Sequence, residues 1–165
     1  MDTTDFVQRT VFFLEEYALP DGRSKYKKLI EDAIKSGESE SEQGVKLPIS
    51  KKDLAKYDKE LVDVLPQMED KFKITISIYK TLRTLLLQKK VPGMLLGKED
   101  TVFITQEYID KLEGEEKPTF EEFAKQVGGY VDEINGQKVI VTKFWKLAMV
   151  SALVHIAELE EKKKQ

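Results

Sequence analysis

Residues 144–159 carry apolar side chains that go almost all the way round a helix, until Glu158 interrupts the pattern. A helix that is apolar on every side is buried by its neighbours or by a partner chain. At about 16 residues, this stretch is too short to span a bilayer. We therefore predict a mainly α-helical protein, a helical bundle built around a buried C-terminal helix over 143–161.

Helical spacing of apolar positions also predicts two helices near the N-terminus, over residues 5–18 and 24–36. The turn Leu19-Pro20-Asp21-Gly22 separates them, because proline presets φ and glycine tolerates the left-handed region. The acidic segment 37–44 has no periodicity and is predicted to be a loop. The N-terminal part is thus expected to contain a pair of short helices.

A further helix is predicted to begin at Ser50-Lys51-Lys52-Asp53, which has the form of a capping box. Pro66 is expected to break or kink this helix. Beyond it, Phe72 to Ile78 alternates as a strand does, yet no turn separates that segment from the helical sequence that follows. We favour one long helix from 67 to 90, with a strand at 71–79 as the alternative.

The C-terminal part mixes short helices with β-structure. Thr119 and Glu122 form a second capping box, and Asn135-Gly136 is typical of a two-residue hairpin turn, which would place Glu133 opposite Lys138. Residues 93–99 are predicted to connect the long helix to the first strand. The predicted elements are a strand at 102–104, helices at 105–113 and 119–127, and a hairpin at 130–142. Their order is that of a winged helix, so 102–142 is a possible winged-helix-like segment.

We expect one domain over 1–165, since a chain of this length can bury its own core. A possible sub-boundary at 92–100 would separate a helical part (1–91) from a helix-hairpin-helix part (101–165). The chain has no cysteine and no visible signal peptide, and these features favour a cytoplasmic protein. Its richness in Lys and Glu is common among thermophile proteins.

The side chains present offer little catalytic chemistry. With no cysteine and with His155 alone in an apolar helix, the familiar zinc sites and nucleophilic triads are excluded. We expect His155 to be packed or half-buried. The sequence predicts no catalytic residue, no metal site and no cofactor, and thus no enzyme; a carboxylate-only, metal-dependent hydrolase is the last alternative.

Charge is distributed unevenly along the chain. Residues 46–91 have a balance of +5, whereas 1–45 and 92–165 each have −4. On a helix over 67–90, four basic residues fall within a stripe about 100° wide, which could neutralise successive phosphates. These candidate nucleic-acid-binding residues are Lys73, Lys80, Arg83 and Lys90. An ordinary solvated face is the alternative.

In size and layout the chain resembles the small accessory subunits of CRISPR effector complexes, and also archaeal winged-helix regulators. The resemblance implies a non-enzymatic small subunit or adaptor of a larger, nucleoprotein assembly that binds nucleic acid through the basic helix. The alternative is a dimeric winged-helix DNA-binding regulator. Either function implies a protein partner or self-association, possible contact with nucleic acid, and no membrane.

Overall fold

The computed structural model describes residues 1–18, 51–112, 114 and 116–163. The mainly helical fold with a small β element is confirmed. The helices are α1 (Thr3–Ala18), α2 (Lys51–Tyr57), α3 (Lys59–Leu87), α4 (Gln106–Asp110), α5 (Phe120–Gln126) and α6 (Phe144–Lys163). The strands are β1 (Met94–Leu96), β2 (Thr101–Ile104), β3 (Tyr130–Ile134) and β4 (Gln137–Lys143), with a 3-10 turn at Lys98–Asp100 between β1 and β2.

Helices α1, α3 and α6 pack against one another and form the centre of the protein. Aromatic side chains join them: the rings of Phe6 and Phe72 lie 6.3 Å apart, and those of Tyr79 and Phe144 lie 5.0 Å apart. On α6, Phe144, Leu147, Ala148, Ala152 and Ile156 are buried. The predicted central helix is therefore present, and it packs onto helices of the N-terminal part.

The prediction of one long helix instead of a strand at 71–79 is confirmed, but the helix begins earlier than expected. Asp58 has extended backbone (φ −151°) and accepts a hydrogen bond from the Leu61 N–H, so it caps α3 and separates it from α2. Pro66 kinks α3 without ending it, and Met68 leaves the helical region (φ −126°, ψ 22°). Ser50, the second predicted helix and the acidic loop lie outside the described residues.

The four strands form one antiparallel sheet in the order β1-β2-β4-β3. The hairpin prediction is confirmed in detail: Asn135 and Gly136 have positive φ, and Glu133 pairs with Lys138. Strand β1 was not predicted, because its three residues are too few for a periodic pattern. The helix predicted over 105–113 is shorter and ends at Asp110.

One face of the sheet belongs to the main hydrophobic core. Met94, Val102, Ile104 and Ile140 point to this inner face and are at most 4% exposed. The Thr142 hydroxyl, on the same face, donates to the Val127 carbonyl 2.8 Å away and so holds the end of α5 against β4. Thr119 caps α5 as predicted: its hydroxyl accepts from the Glu122 N–H at 3.2 Å and donates to Glu122 Oε1 at 3.0 Å.

Candidate functional site

The four basic residues predicted to bind nucleic acid do not form one exposed row. Lys73 is exposed and forms an ion pair with Glu69 on the next turn (3.4 Å). Lys80 is half-buried, and Lys90 is exposed but lies beyond the end of α3. Arg83 is only 1% exposed. The helical periodicity gives the direction of each side chain, but it does not show that neighbouring elements cover the C-terminal end of α3 on more than one side.

Arg83 belongs to a buried polar cluster. Its Nη2 and Nη1 donate to Asp100 Oδ1 and Oδ2 at 2.9 and 3.3 Å, and its guanidinium lies 5.2 Å from the centre of the Phe144 ring. Burial lowers the pKa of Arg83, but the hydrogen bond with Asp100 and the nearby negative charges raise it by more, so the pKa is raised overall. Arg83 is therefore a buried cation whose charge is neutralised by the Asp100 carboxylate.

Glu15 and Tyr79 extend this cluster. The Tyr79 hydroxyl donates to Glu15 Oε2 at 2.8 Å, so α1 is joined to α3 beside the Arg83–Asp100 pair. Burial raises the pKa of Glu15, and the hydrogen bond from Tyr79 lowers it by less. The cluster connects α1, α3 and the β1–β2 turn, and its polar groups hydrogen-bond to one another: Tyr79 to Glu15, and Arg83 to Asp100. This arrangement favours a structural role over a catalytic one.

Within the described residues, no group of three or more histidine and acidic side chains is placed to hold a metal ion. The prediction that His155 is packed or half-buried is wrong, since the residue is exposed on α6. Its side of α6 is less covered than the all-round apolar pattern suggested, and Val154 is 51% exposed.

A less expected feature is the second face of the sheet, which is also apolar. Strand register places Leu95 beside Phe103, Phe103 beside Val141, and Val141 beside Tyr130, so one apolar residue of each strand lies in a row across the sheet. Val139 and Ile134 extend this row toward the hairpin turn. We call these six residues the outer sheet face.

The outer sheet face is buried in its middle and exposed at its ends, since Val139 and Val141 are only 6% and 9% exposed. Of the residues described, the main core cluster includes the inner-face side chains but none of these six. The two ends of the row are the most open, with Leu95 55% and Tyr130 60% exposed, and Ile134 is 41% exposed. Large apolar side chains grouped on a surface mark interaction sites more often than isolated ones do.

The acidic side chains of the hairpin, Asp132 and Glu133, lie on β3, whereas β4 carries Lys138 and Lys143. Asp132 lies between Tyr130 and Ile134 on the outer face, and its Oδ1 accepts the Glu133 N–H at 2.8 Å. Strand β3 is at the edge of the sheet, and this hydrogen bond occupies an N–H that an incoming strand would need. The outer edge of β3 is therefore protected, while the face beside it stays apolar.

The C-terminal part has the strand–helix–helix–hairpin order predicted for a winged helix, with β2 paired to β4. The helix that would approach DNA is α5, which has seven residues and carries exposed Glu121 and Glu122 in its first turn. Acidic groups repel phosphates at this position.

The signal of the outer sheet face was present in the sequence, since the unbroken apolar run Val139-Ile140-Val141 is typical of a strand that is apolar on both faces.

No helix in the described ranges is long and apolar enough to cross a membrane. Comparison of the chain with protein-family models, with curated proteins and with solved structures finds no match.

Proposed function

We propose that this protein is a non-enzymatic adaptor or small subunit of a larger assembly, and that it binds a partner protein through the outer sheet face. The observation that carries the proposal is the row Leu95–Phe103–Val141–Tyr130, apolar throughout and most exposed at its two ends. Exposed aromatic and aliphatic side chains of this kind supply much of the binding energy at protein interfaces.

The size of the face says something about the partner. Four strands about 4.8 Å apart, covered over two or three residues of each at about 3.3 Å per residue, give roughly 130–190 Å² of surface. A stable interface buries roughly 800 Å² on each side. A dimer closed by this face alone would therefore be too small. The partner is expected to extend past the face onto β3, where its own basic residues would be complementary to Asp132 and Glu133.

A nucleic-acid-binding subunit, the function implied by resemblance to CRISPR accessory subunits, is the second candidate. It is supported by Lys73 and Lys90, which are exposed, and by the half-buried Lys80 between them. Against it, Lys73 already faces Glu69, and the Arg83 guanidinium is occupied by Asp100. A winged-helix regulator is supported by the order of the C-terminal elements but opposed by the acidic first turn of α5.

The test is affinity capture from nuclease-treated extract of the source cells. Three tagged proteins are compared: the wild type, a Leu95→Ser/Tyr130→Ser variant, and a Val154→Ser variant. Val154 is as exposed as Leu95 but lies on α6, so its variant controls for loss of surface hydrophobicity. Circular dichroism melts confirm that all three fold.

We expect one partner to be captured by the wild type and by Val154→Ser, and to be lost with the double variant. Equal capture by all three proteins would refute the outer sheet face as the docking surface. Capture that occurs from untreated extract and disappears after nuclease treatment, or that is lost in a Lys73→Glu/Lys90→Glu variant, would favour the nucleic-acid candidate.

A further inference from the structure

Strand β4 is longer than the strand beside it. The pairing of β2 with β4 ends at Ile104 and Ile140, because the chain turns away at Thr105 and enters α4. On its other side β4 continues to pair with β3 as far as Gln137. Three residues of β4, Gln137 to Val139, therefore have a neighbour on one side only among the described strands.

The hydrogen-bonding pattern shows which backbone groups this leaves open. In an antiparallel strand the N–H and C=O of successive residues point to opposite sides in turn. The two-residue turn makes Ile134 and Gln137 a hydrogen-bonded pair, so Gln137 and Val139 bond to β3. The N–H and C=O of Lys138 then point to the side on which β2 has ended.

A cleft of about 800 Å³ lies on that side of β4. It is bounded by the first residues of α4, by the first residues of α5 and by the start of β4. Its lining is Thr105, Gln106, Glu107, Thr119, Phe120, Glu121, Gln137 and Lys138. Its volume lies within the range of pockets that bind ligands. The cleft is thus placed where a continuation of β2 would have run.

The charge of the cleft indicates what would occupy it. Glu107 and Glu121 line it and are exposed, and Glu133 stands opposite Lys138 across the hairpin. Lys138 is the single cation of the lining, and Glu107 also pairs with Lys111 at 3.5 Å. Among the described lining residues, Phe120 is the one large apolar side chain, and it is only 9% exposed. Acidic groups in excess around an open strand edge suit an extended peptide that carries a basic side chain.

We propose that this cleft binds an extended segment of the partner protein, which adds to β4 as a short strand in place of the missing end of β2 and directs an Arg or Lys toward Glu107 and Glu121. The inference rests on the proposed adaptor function and names the chemistry of the partner. The partner would then contact both the outer sheet face and the open edge of β4, which supplies the contact area that the outer sheet face lacks.

The test is an NMR titration of the ¹⁵N-labelled full chain with synthetic peptides. The probe is acetyl-Thr-Val-Arg-Val-Thr-amide. Two matched peptides replace Arg with Glu, or carry N-methyl groups that remove the backbone donors. We expect the amide signals of residues 105–107, 119–121 and 137–139 to shift with the Arg peptide, and to shift much less with either control peptide.

Protein variants locate the effect. Glu107→Gln and Glu121→Gln are each expected to weaken binding of the Arg peptide by up to about fivefold, the range of an exposed ion pair. Lys138→Pro removes the outward N–H and keeps the bonds to β3, so it should abolish the shifts. Glu158→Gln, an exposed carboxylate on α6, is the control and should leave binding unchanged.

The absence of shifts with the Arg peptide, or equal shifts with the Glu peptide, would overturn the inference. So would partner capture that is unaffected in Lys138→Pro, and in that case the adaptor function would stand if Leu95→Ser/Tyr130→Ser still loses the partner. Conversely, peptide binding in the cleft without any partner lost through the outer sheet face would overturn the proposed function and leave the cleft as a peptide site.

Discussion

The substitution Asp100→Asn isolates the charge of the buried ion pair. Asp100 has φ +56°, a left-handed conformation that asparagine tolerates as well as aspartate does, so the backbone preference is kept. The side chain keeps nearly the same volume and one oxygen that can accept a hydrogen bond. The change that remains is the loss of the negative charge facing a guanidinium that is 1% exposed.

The expected cost is large because the cation stays buried. Removing one partner of a buried ion pair typically costs about 3–5 kcal/mol, since the remaining charge is neither hydrated nor neutralised. Arg83 Nε already has no hydrogen-bond partner among the described residues, which leaves the guanidinium few other contacts. For a chain of this size, such a loss lowers the melting temperature by roughly 6–20 °C.

Urea denaturation at pH 7, followed by circular dichroism, measures this cost. Lys73→Gln is the matched control: it breaks the exposed pair with Glu69, and should change the free energy of unfolding by less than about 0.5 kcal/mol. The double variant Arg83→Met/Asp100→Asn removes both charges and should be more stable than Asp100→Asn alone. An Asp100→Asn protein within about 0.5 kcal/mol of the wild type would refute the reasoning, because that loss is typical of an exposed pair.

Two further predictions concern the same fold. The pKa of Glu15 is raised in the folded state, so its contribution to stability is present at low pH and is lost as the pH rises through the folded-state pKa. Glu15→Gln can still accept a hydrogen bond from Tyr79, so this variant should gain stability relative to the wild type between pH 4 and pH 7. A stability difference that does not change with pH would contradict this. Gly93→Ala and Gly136→Ala both place a side chain at positive φ, but an added Cβ at Gly93 would lie 2.3 Å from the Tyr108 nitrogen, whereas nothing lies within 4 Å at Gly136. Thermal melts should show Gly136→Ala losing about 1–2 kcal/mol and Gly93→Ala clearly more; equal losses would mean that steric contact with α4 is unimportant.

The sequence predicted those elements whose signals are local. The Asn135-Gly136 turn, the Glu133–Lys138 register and the cap at Thr119 all depend on residues a few positions apart. Pro66 likewise marks the distorted point of α3, although the sequence left open whether the helix would break or kink there. These features need no knowledge of distant contacts, so a pattern in one short stretch is enough to predict them.

The features that were missed depend on residues far apart in sequence. Arg83 was predicted to be on the surface. Its partner Asp100 lies seventeen residues later, and no local sequence pattern indicates that the two residues pair. A helical wheel shows in which direction each side chain of a helix points. Whether that side chain is buried depends on which other elements pack against the helix on that side. The outer sheet face needed the pairing of four strands, one of which, β1, has only three residues.

Binding to nucleic acid is the measurement that separates a protein partner from a phosphate backbone most directly. Fluorescence anisotropy of labelled single- and double-stranded DNA and RNA would be recorded with the purified protein over a salt series. We predict no saturable binding even at low salt, since α5 carries Glu121 and Glu122 in its first turn and Arg83 is buried. Binding that weakens steeply with salt, and that is lost in a Lys73→Glu/Lys80→Glu/Lys90→Glu variant, would contradict the protein-docking function and assign the basic residues of α3 to phosphate contacts.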